Sequence, residues 1–466
     1  MAPVLVVNAP AEYGDPRGNY WITGMDWLGF GRGQESADGI GWVSSAYRDG
    51  TALPWLSTDN LARRTRTFFD SNANPLKTVL PDDNYIQETF NSFSEVLSYT
   101  DPSTHTTAYG YDVNGNETSV TDALTKTWNY NYDSTHHDVM TLATDPLGDP
   151  TNYAYDNYER LTKTTDYYGN AVTEVYDNAG NVSTQTDQRG KTTTFTYDNA
   201  GREKTMTTPD TPTGGAHPVW KYDYDGDGNR TLTTDPLSHT TAYNFDGRNR
   251  LASITDFLNH TTAFGFDGNS NETSVTDGNT HTTDYFYDAD NRRTLLTDAN
   301  GYSTSYGLDP DGEETSVTDA NAHTTSFAYS VRGFETSVTD ALTHTTGYSY
   351  DKAGNQTLVT DALTHPTQYI PDADNCVTKV TDALGKSVLY GFDDAGRQTS
   401  ETDADGNFTK YDYDKDGRVI KVTDPSLTNF TTYGYDPAGN LTTSTDRDGR
   451  TRTFVYDEVN RRTAEN

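Results

Sequence analysis

Aromatic residues in this chain fall in pairs two positions apart, with an aspartate directly behind the second ring. Tyr109-Gly-Tyr111-Asp112, Phe264-Gly-Phe266-Asp267 and Tyr433-Gly-Tyr435-Asp436 show the pattern. Spacing of two puts both rings on one face of a strand and the intervening residue on the other. Aromatic–Asp pairs recur from Phe69-Asp70 to Tyr456-Asp457, with departures at Leu308-Asp309, Tyr329-Ser330 and Ile370-Pro371. A second column, Thr-Asp, runs in the same phase, and from Asp235 to Asp424 every step between its aspartates is 21 residues. The long step from Asp187 to Asp235 holds two repeats, with Asp210 at the missing position and 211–218 as an inserted loop. Weaker copies lie upstream at Asp59 and Asp82. Residues 46–466 thus read as about nineteen tandem units of supersecondary size.

Each unit predicts a hairpin. One strand is Thr-Thr-Ala-Tyr-Gly-Tyr-Asp, the turn is Val-Asn-Gly-Asn (113–116) or Asn-Ala-Gly-Asn (178–181), and the return is Glu-Thr-Ser-Val-Thr-Asp. A segment such as Ala-Leu-Thr-His links it to the next unit. Gly in the turn supplies positive φ, and Thr, Val and Tyr favour strands. A lone hairpin is marginal in water, so the aromatic faces are expected to be a core between stacked neighbours. The fold class is therefore all-β: tandem hairpins of about 21 residues forming one continuous, spiralling or solenoid-like antiparallel sheet. About 38 strands at ~4.8 Å give a ladder of roughly 180 Å. Residues 1–45 differ. With Trp21, Trp27 and Trp42, closely followed by Trp55, they read as a divergent cap on the first edge. The other end stops inside a repeat, and an unprotected strand edge there recruits a further strand. Self-association through this edge, or continuation in a longer chain, is expected.

The motif Tyr111-Asp-Val-Asn-Gly-Asn116 followed by Thr121-Asp122, and Tyr350-Asp-Lys-Ala-Gly-Asn355 followed by Thr360-Asp361, resemble the RHS/YD-repeat family. The resemblance covers about nine tenths of the chain, and its repetition makes it specific. It implies repeats wound into a curved sheet that spirals into a hollow shell. It also implies relatives that are toxin-encapsulating or wall-associated in bacteria, and adhesive teneurins in animals.

Charge narrows the function. Sixty-nine acidic against 34 basic residues give a net charge of −35, which argues against nucleic acid and against anionic membrane surfaces. No apolar run approaches a membrane span, and the N-terminus carries no basic segment of a signal peptide. The single Cys376 excludes an intrachain disulfide framework. An extracellular or cell-surface location is expected from the resemblance, without a visible signal peptide.

Candidate chemistry is sparse. Gly190-Lys-Thr192 and Gly385-Lys-Ser387 resemble the end of a phosphate loop, but Gln185 and Val380 stand where its first glycine belongs. Asp223, Asp225 and Asp227, and Asp412, Asp414 and Asp416, match the first half of a calcium loop. Thr234 and Thr423 replace its terminal bidentate Glu, so they are weak Ca²⁺ candidates within the repeat's own turn. His105, His239, His260, His281, His323, His344 and His365 form a column four residues after the Thr-Asp aspartate. At two strands per repeat, ~9.6 Å apart, neighbours cannot share one ion, and they read as exposed linker histidines. Asp145-Pro-Leu-Gly148, Asp309-Pro-Asp-Gly312 and Asp436-Pro-Ala-Gly439 are similar to the family's self-cleaving Asp-Pro-x-Gly segment. They sit in repeat phase and read as turns. No catalytic constellation is present. The expected function is a non-enzymatic extracellular scaffold forming a shell or fibre. The alternatives are a surface adhesion module whose aromatic columns stack carbohydrate, or a shell around a toxin or effector encoded elsewhere.

Overall fold

The computed structural model describes residues 56–466 with their side chains, except 60, 137, 210–216 and 427. Upstream it describes the backbone of Ala11–Gly14, Tyr20–Met25, Gly31–Ser36, Trp42–Tyr47 and Pro54–Thr58. The expectations on the side chains of Trp21, Trp27, Trp42 and Trp55, on Asp210 and on most of the loop 211–218 lie outside the described residues.

Among the described residues the chain is an all-β repeat protein of 43 strands in one sheet, with no helix. It forms two compact units, residues 1–108 with 260–369, and residues 109–259 with 370–466. Within each, consecutive strands pair antiparallel. Thr324–Tyr329 pairs with Glu335–Thr339, which pairs with Thr345–Tyr350. The four strands between 11 and 47 pair in the same manner, so their divergent sequence keeps the hairpin backbone.

Outgoing strands have six residues and return strands five, and a bulge in the return strand sits opposite the second aromatic of each pair. Ala328 opposes Ser337, whereas Tyr329 opposes Glu335, leaving Thr336 as the extra residue. The tyrosine hydroxyl then crosses to the neighbouring hairpin. Tyr329 donates to the Glu314 carbonyl at 2.8 Å, Tyr287 to that of Glu272 at 2.8 Å, and Tyr350 to that of Glu335 at 2.8 Å. Thr339 and Thr345 face each other across the next turn with hydroxyls 2.8 Å apart. The glycine between two aromatics has a register reason too. A Cβ on Gly265 or Gly307 would run into the Oγ of Ser274 or Ser316 opposite.

The expected aromatic core needs correction. Val79, at 8% exposure, is the one buried apolar side chain among the described residues, and no large side chain is fully buried. Tyr285 and Tyr287 are half-buried, and Phe286 on the opposite face is 49% exposed. One sheet without a second layer covers each ring only with its lateral neighbours. Hydroxyl bonds, threonine pairs and turn carboxylates therefore carry cohesion that a layered domain takes from burial.

Candidate functional site: turns and the seam between them

Most of the described strands close at both ends with the same five-residue loop, with longer ones at Asp133–Val139 and Asp424–Asn429, so the expected link of the Thr-Asp column is a second hairpin turn. In Asp340–His344 the Asp340 N–H donates to the His344 carbonyl at 3.0 Å, and the Thr343 N–H to the Asp340 carbonyl at 3.0 Å. Oδ1 of Asp340 accepts the Leu342 and His344 N–H groups at 2.8 and 2.9 Å. The fourth residue has positive φ, 70° at Thr343 and 102° at Gly354 in the aromatic-Asp column. In many turns the fifth residue donates its side chain to Oδ2: Asn355 to Asp351 at 2.9 Å, Arg250 to Asp246 at 2.7 Å, His344 to Asp340 at 2.9 Å. The aspartate is thus a carboxylate inside a ring of donors. The Arg250 side chain, then its N–H, hold Asp246 down at about 2. One position needs re-phasing. The upstream turn runs from Leu80 to Asn84, with Asp82 in its middle, so the 21-residue period is unbroken there.

This geometry settles where the sequence candidates sit. Asp225 accepts the Asp227 and Asn229 N–H groups and the Asn229 amide, and Asp414 accepts those of Asp416 and Arg418 and the Arg418 guanidinium. Asp223 and Asp412 stand on the strands before them, and Lys410 pairs with Asp412 at 2.6 Å. Neither triplet converges, and no cluster of three metal-capable side chains occurs among the described residues. The histidine column is the local donor to its own aspartate, in the place that Arg or Asn takes elsewhere. His281, His323, His344 and His365 each reach the aspartate four residues back at 2.9–3.2 Å.

The feature that sequence reasoning missed is a seam. In the unit of residues 1–108 and 260–369, Arg63 of the turn after Asp59 pairs with Asp311 and, at 3.2 Å, with Glu313. Arg332 likewise reaches Asp82 at 3.4 Å. In the other unit Lys126 donates to the Asp393 carbonyl at 3.3 Å, Lys415 pairs with Asp149 at 2.8 Å, and Lys191 with Glu458 at 2.8 Å. Arg189 donates to the Asp457 carbonyl at 2.9 Å, and the Lys415 N–H to the Tyr168 hydroxyl at 3.1 Å. The partners are 247 to 268 residues apart, about twelve repeats. In every case a turn of the Thr-Asp column meets a turn of the aromatic-Asp column. Burial opposes the charge of Arg63, but Asp59, Glu313 and Asp311 overcome it and raise its pKa. Acid also meets acid. Burial, then Asp122, push Asp374 up, and burial, then Asp166, do the same to Asp416. The only hints in the sequence are charges that break the repeat at turn positions, such as Arg63, Asp149 and Lys415.

The chain matches the RHS repeat over residues 90–127, 176–213, 219–265, 266–303, 329–365, 372–407, 413–451 and 435–466, more than half its length. No curated protein matches it by sequence. Among solved structures it is similar to a chain of the TcdB2-TccC3-Cdc42 complex, at 13% identity and a TM-score of 0.62 over 96% of its length. It is similar to TcdB2-TccC3 without the hypervariable C-terminal region, at 12% identity and a TM-score of 0.62 over 96%. The Tc holotoxin pore of Photorhabdus luminescens gives 12% identity and a TM-score of 0.56 over 98%. The chain spans about a third of the length of these structures, 30–31%.

Proposed function

The chain belongs to the RHS repeat family, and from that premise we propose that it is wall material: a non-enzymatic, extracellular stretch of shell that encloses a toxin or effector encoded elsewhere. The seam carries this reading. A free rod has no reason to hold partly buried charges against a segment twelve repeats away, whereas a wall wound on itself must join its successive courses. The toxin assemblies to which the fold is similar favour enclosure over a bare fibre. In the same reading residues 1–45 cap the first edge and 46–466 are the repeat array. Small-angle scattering of the full chain tests the proposal. A wound wall gives a compact particle that lengthens when Arg63, Lys126, Lys191 and Lys415 are all replaced by Glu. An extended rod in the parent chain, unchanged in that variant, sinks it.

A further inference from the structure

The unit of residues 109–259 and 370–466 holds a cavity of about 480 Å³, where the turns beginning at Asp145 and Asp166 meet the turn beginning at Asp414. That volume lies within the range of small-molecule sites. Its lining departs from the repeat, and the repeats are their own control. Trp128 stands where the flanking units carry Thr107 and Thr151, and Asp149 where they carry Lys126 and Asn170.

Acceptors outnumber free donors here. The Asp149 side chain is 6% exposed. Lys415 Nζ holds its Oδ1 at 2.8 Å, and its Oδ2 has no donor. Asp416 Oδ2 also lacks a hydrogen bond, although the Arg418 guanidinium lies 3.0 Å away. Arg418 is committed to Asp414 and Arg397 to Asp393, each at 2.7 Å. A buried carboxylate oxygen without a donor is costly, and aromatic walls beside it favour a cation. Trp128, Tyr130 and Tyr167 supply those walls, and Lys415 Nζ already lies 5.5 Å from the Tyr167 ring centroid. A bare metal ion fits less well, since no three metal-capable side chains converge among the described residues.

We propose that this cavity binds a small organic cation, a primary amine or guanidinium, whose N–H groups reach the oxygens of Asp149 and Asp416 and whose charge lies against Trp128 and Tyr167. The proposal stands independently of the shell reading. Isothermal titration of the full chain with putrescine and agmatine at physiological salt tests it, with glucose as a neutral probe. One saturable site is expected, weakened at least tenfold by Asp149→Asn and by Trp128→Thr. The latter installs the residue that neighbouring repeats already fold with. Lys415→Ala, which frees the other Asp149 oxygen, should tighten binding. Three results overturn the proposal: no saturable site, a site unchanged in both weakening variants (diffuse attraction to the net negative charge), or glucose binding without amine binding. Loss of affinity in Lys415→Ala with retained circular dichroism also counts against it.

Discussion

The turns Asp59–Arg63 and Asp340–His344 lie in one unit and close the same loop, yet they meet opposite surroundings. Both aspartates accept the second and fourth following N–H groups, and both fifth residues return a side-chain donor to the carboxylate. Arg63 is only 15% exposed, because it continues past its own aspartate to Asp311 and Glu313. His344 ends at its own aspartate and is 60% exposed, with Leu342 beside it at 73%. The backbone pattern is therefore local and identical, while the reach of the fifth residue decides what the turn can join. An imidazole satisfies the loop and stops, whereas a guanidinium satisfies it with one nitrogen and has two left for a neighbour.

The largest break in this comparison is Arg63→Ala, which removes the guanidinium that Asp311 and Glu313 share. Local opening of the 59–63 and 309–313 turns, read by hydrogen exchange, should become easier by about 2–4 kcal/mol, whereas His344→Ala should change its own turn by less than ~0.5 kcal/mol. Equal effects at the two turns would erase the distinction. Next comes Gly354→Ala, at φ 102°, where the new Cβ would lie 2.7 Å from Cζ of Phe334. We expect a loss of about 2 kcal/mol, against about 1 kcal/mol for Gly169→Ala, which meets nothing within 4 Å.

Acidity should separate turn from seam. Folded-state pKa values of turn carboxylates such as Asp246 are lowered, to about 2 there. Their contribution is present above the ordinary aspartate pKa of ~3.9 and is lost as pH falls through the folded value. Asp374 and Asp416 are raised. Their contribution is full below that ordinary value and is lost as pH rises through the folded one. After correction for intrinsic rates, the 122–126 and 414–418 turns should be better protected near pH ~4.5 than near ~8, and the Asp246 turn should not. The smallest expected effect is a gain. Thr343→Gly relieves a β-branched residue at φ 70° and should steady the turn by ~0.5–1 kcal/mol in thermal unfolding.

Much of the fold was legible because each repeat states its own rules within 21 residues. The Thr-Asp and aromatic-Asp columns marked strand ends, and spacing of two marked faces. The equivalence of the two turns was hidden, since Ala-Leu-Thr-His lacks the glycine of Val-Asn-Gly-Asn, yet Thr343 takes the positive φ that Gly115 takes. Periodicity also cannot say whether a face is covered, so half-exposed rings such as Tyr285 looked like core. The seam was illegible in kind. Arg63 and Asp311 are 248 residues apart, and no local pattern encodes that their turns meet.

A seam in which loop meets loop at an offset of about twelve repeats works like a pair of meshed racks with a fixed tooth count. Adding one 21-residue unit between Asp149 and Asp374 would leave every hairpin intact and still shift the mesh by one tooth. Lys126, which now contacts both Asp374 and the Asp393 carbonyl, would meet the Asp372 carbonyl in place of the latter, because every turn offers one there. The Asp149–Lys415 pair has no such second seat. Asp394 stands one repeat before Lys415, and the shift would set it against Asp149, like charge against like. Repeat number is thus under a constraint that no single repeat can sense. Insertions such as the one following Asp210 are tolerated only outside the strands, where they leave the count unchanged.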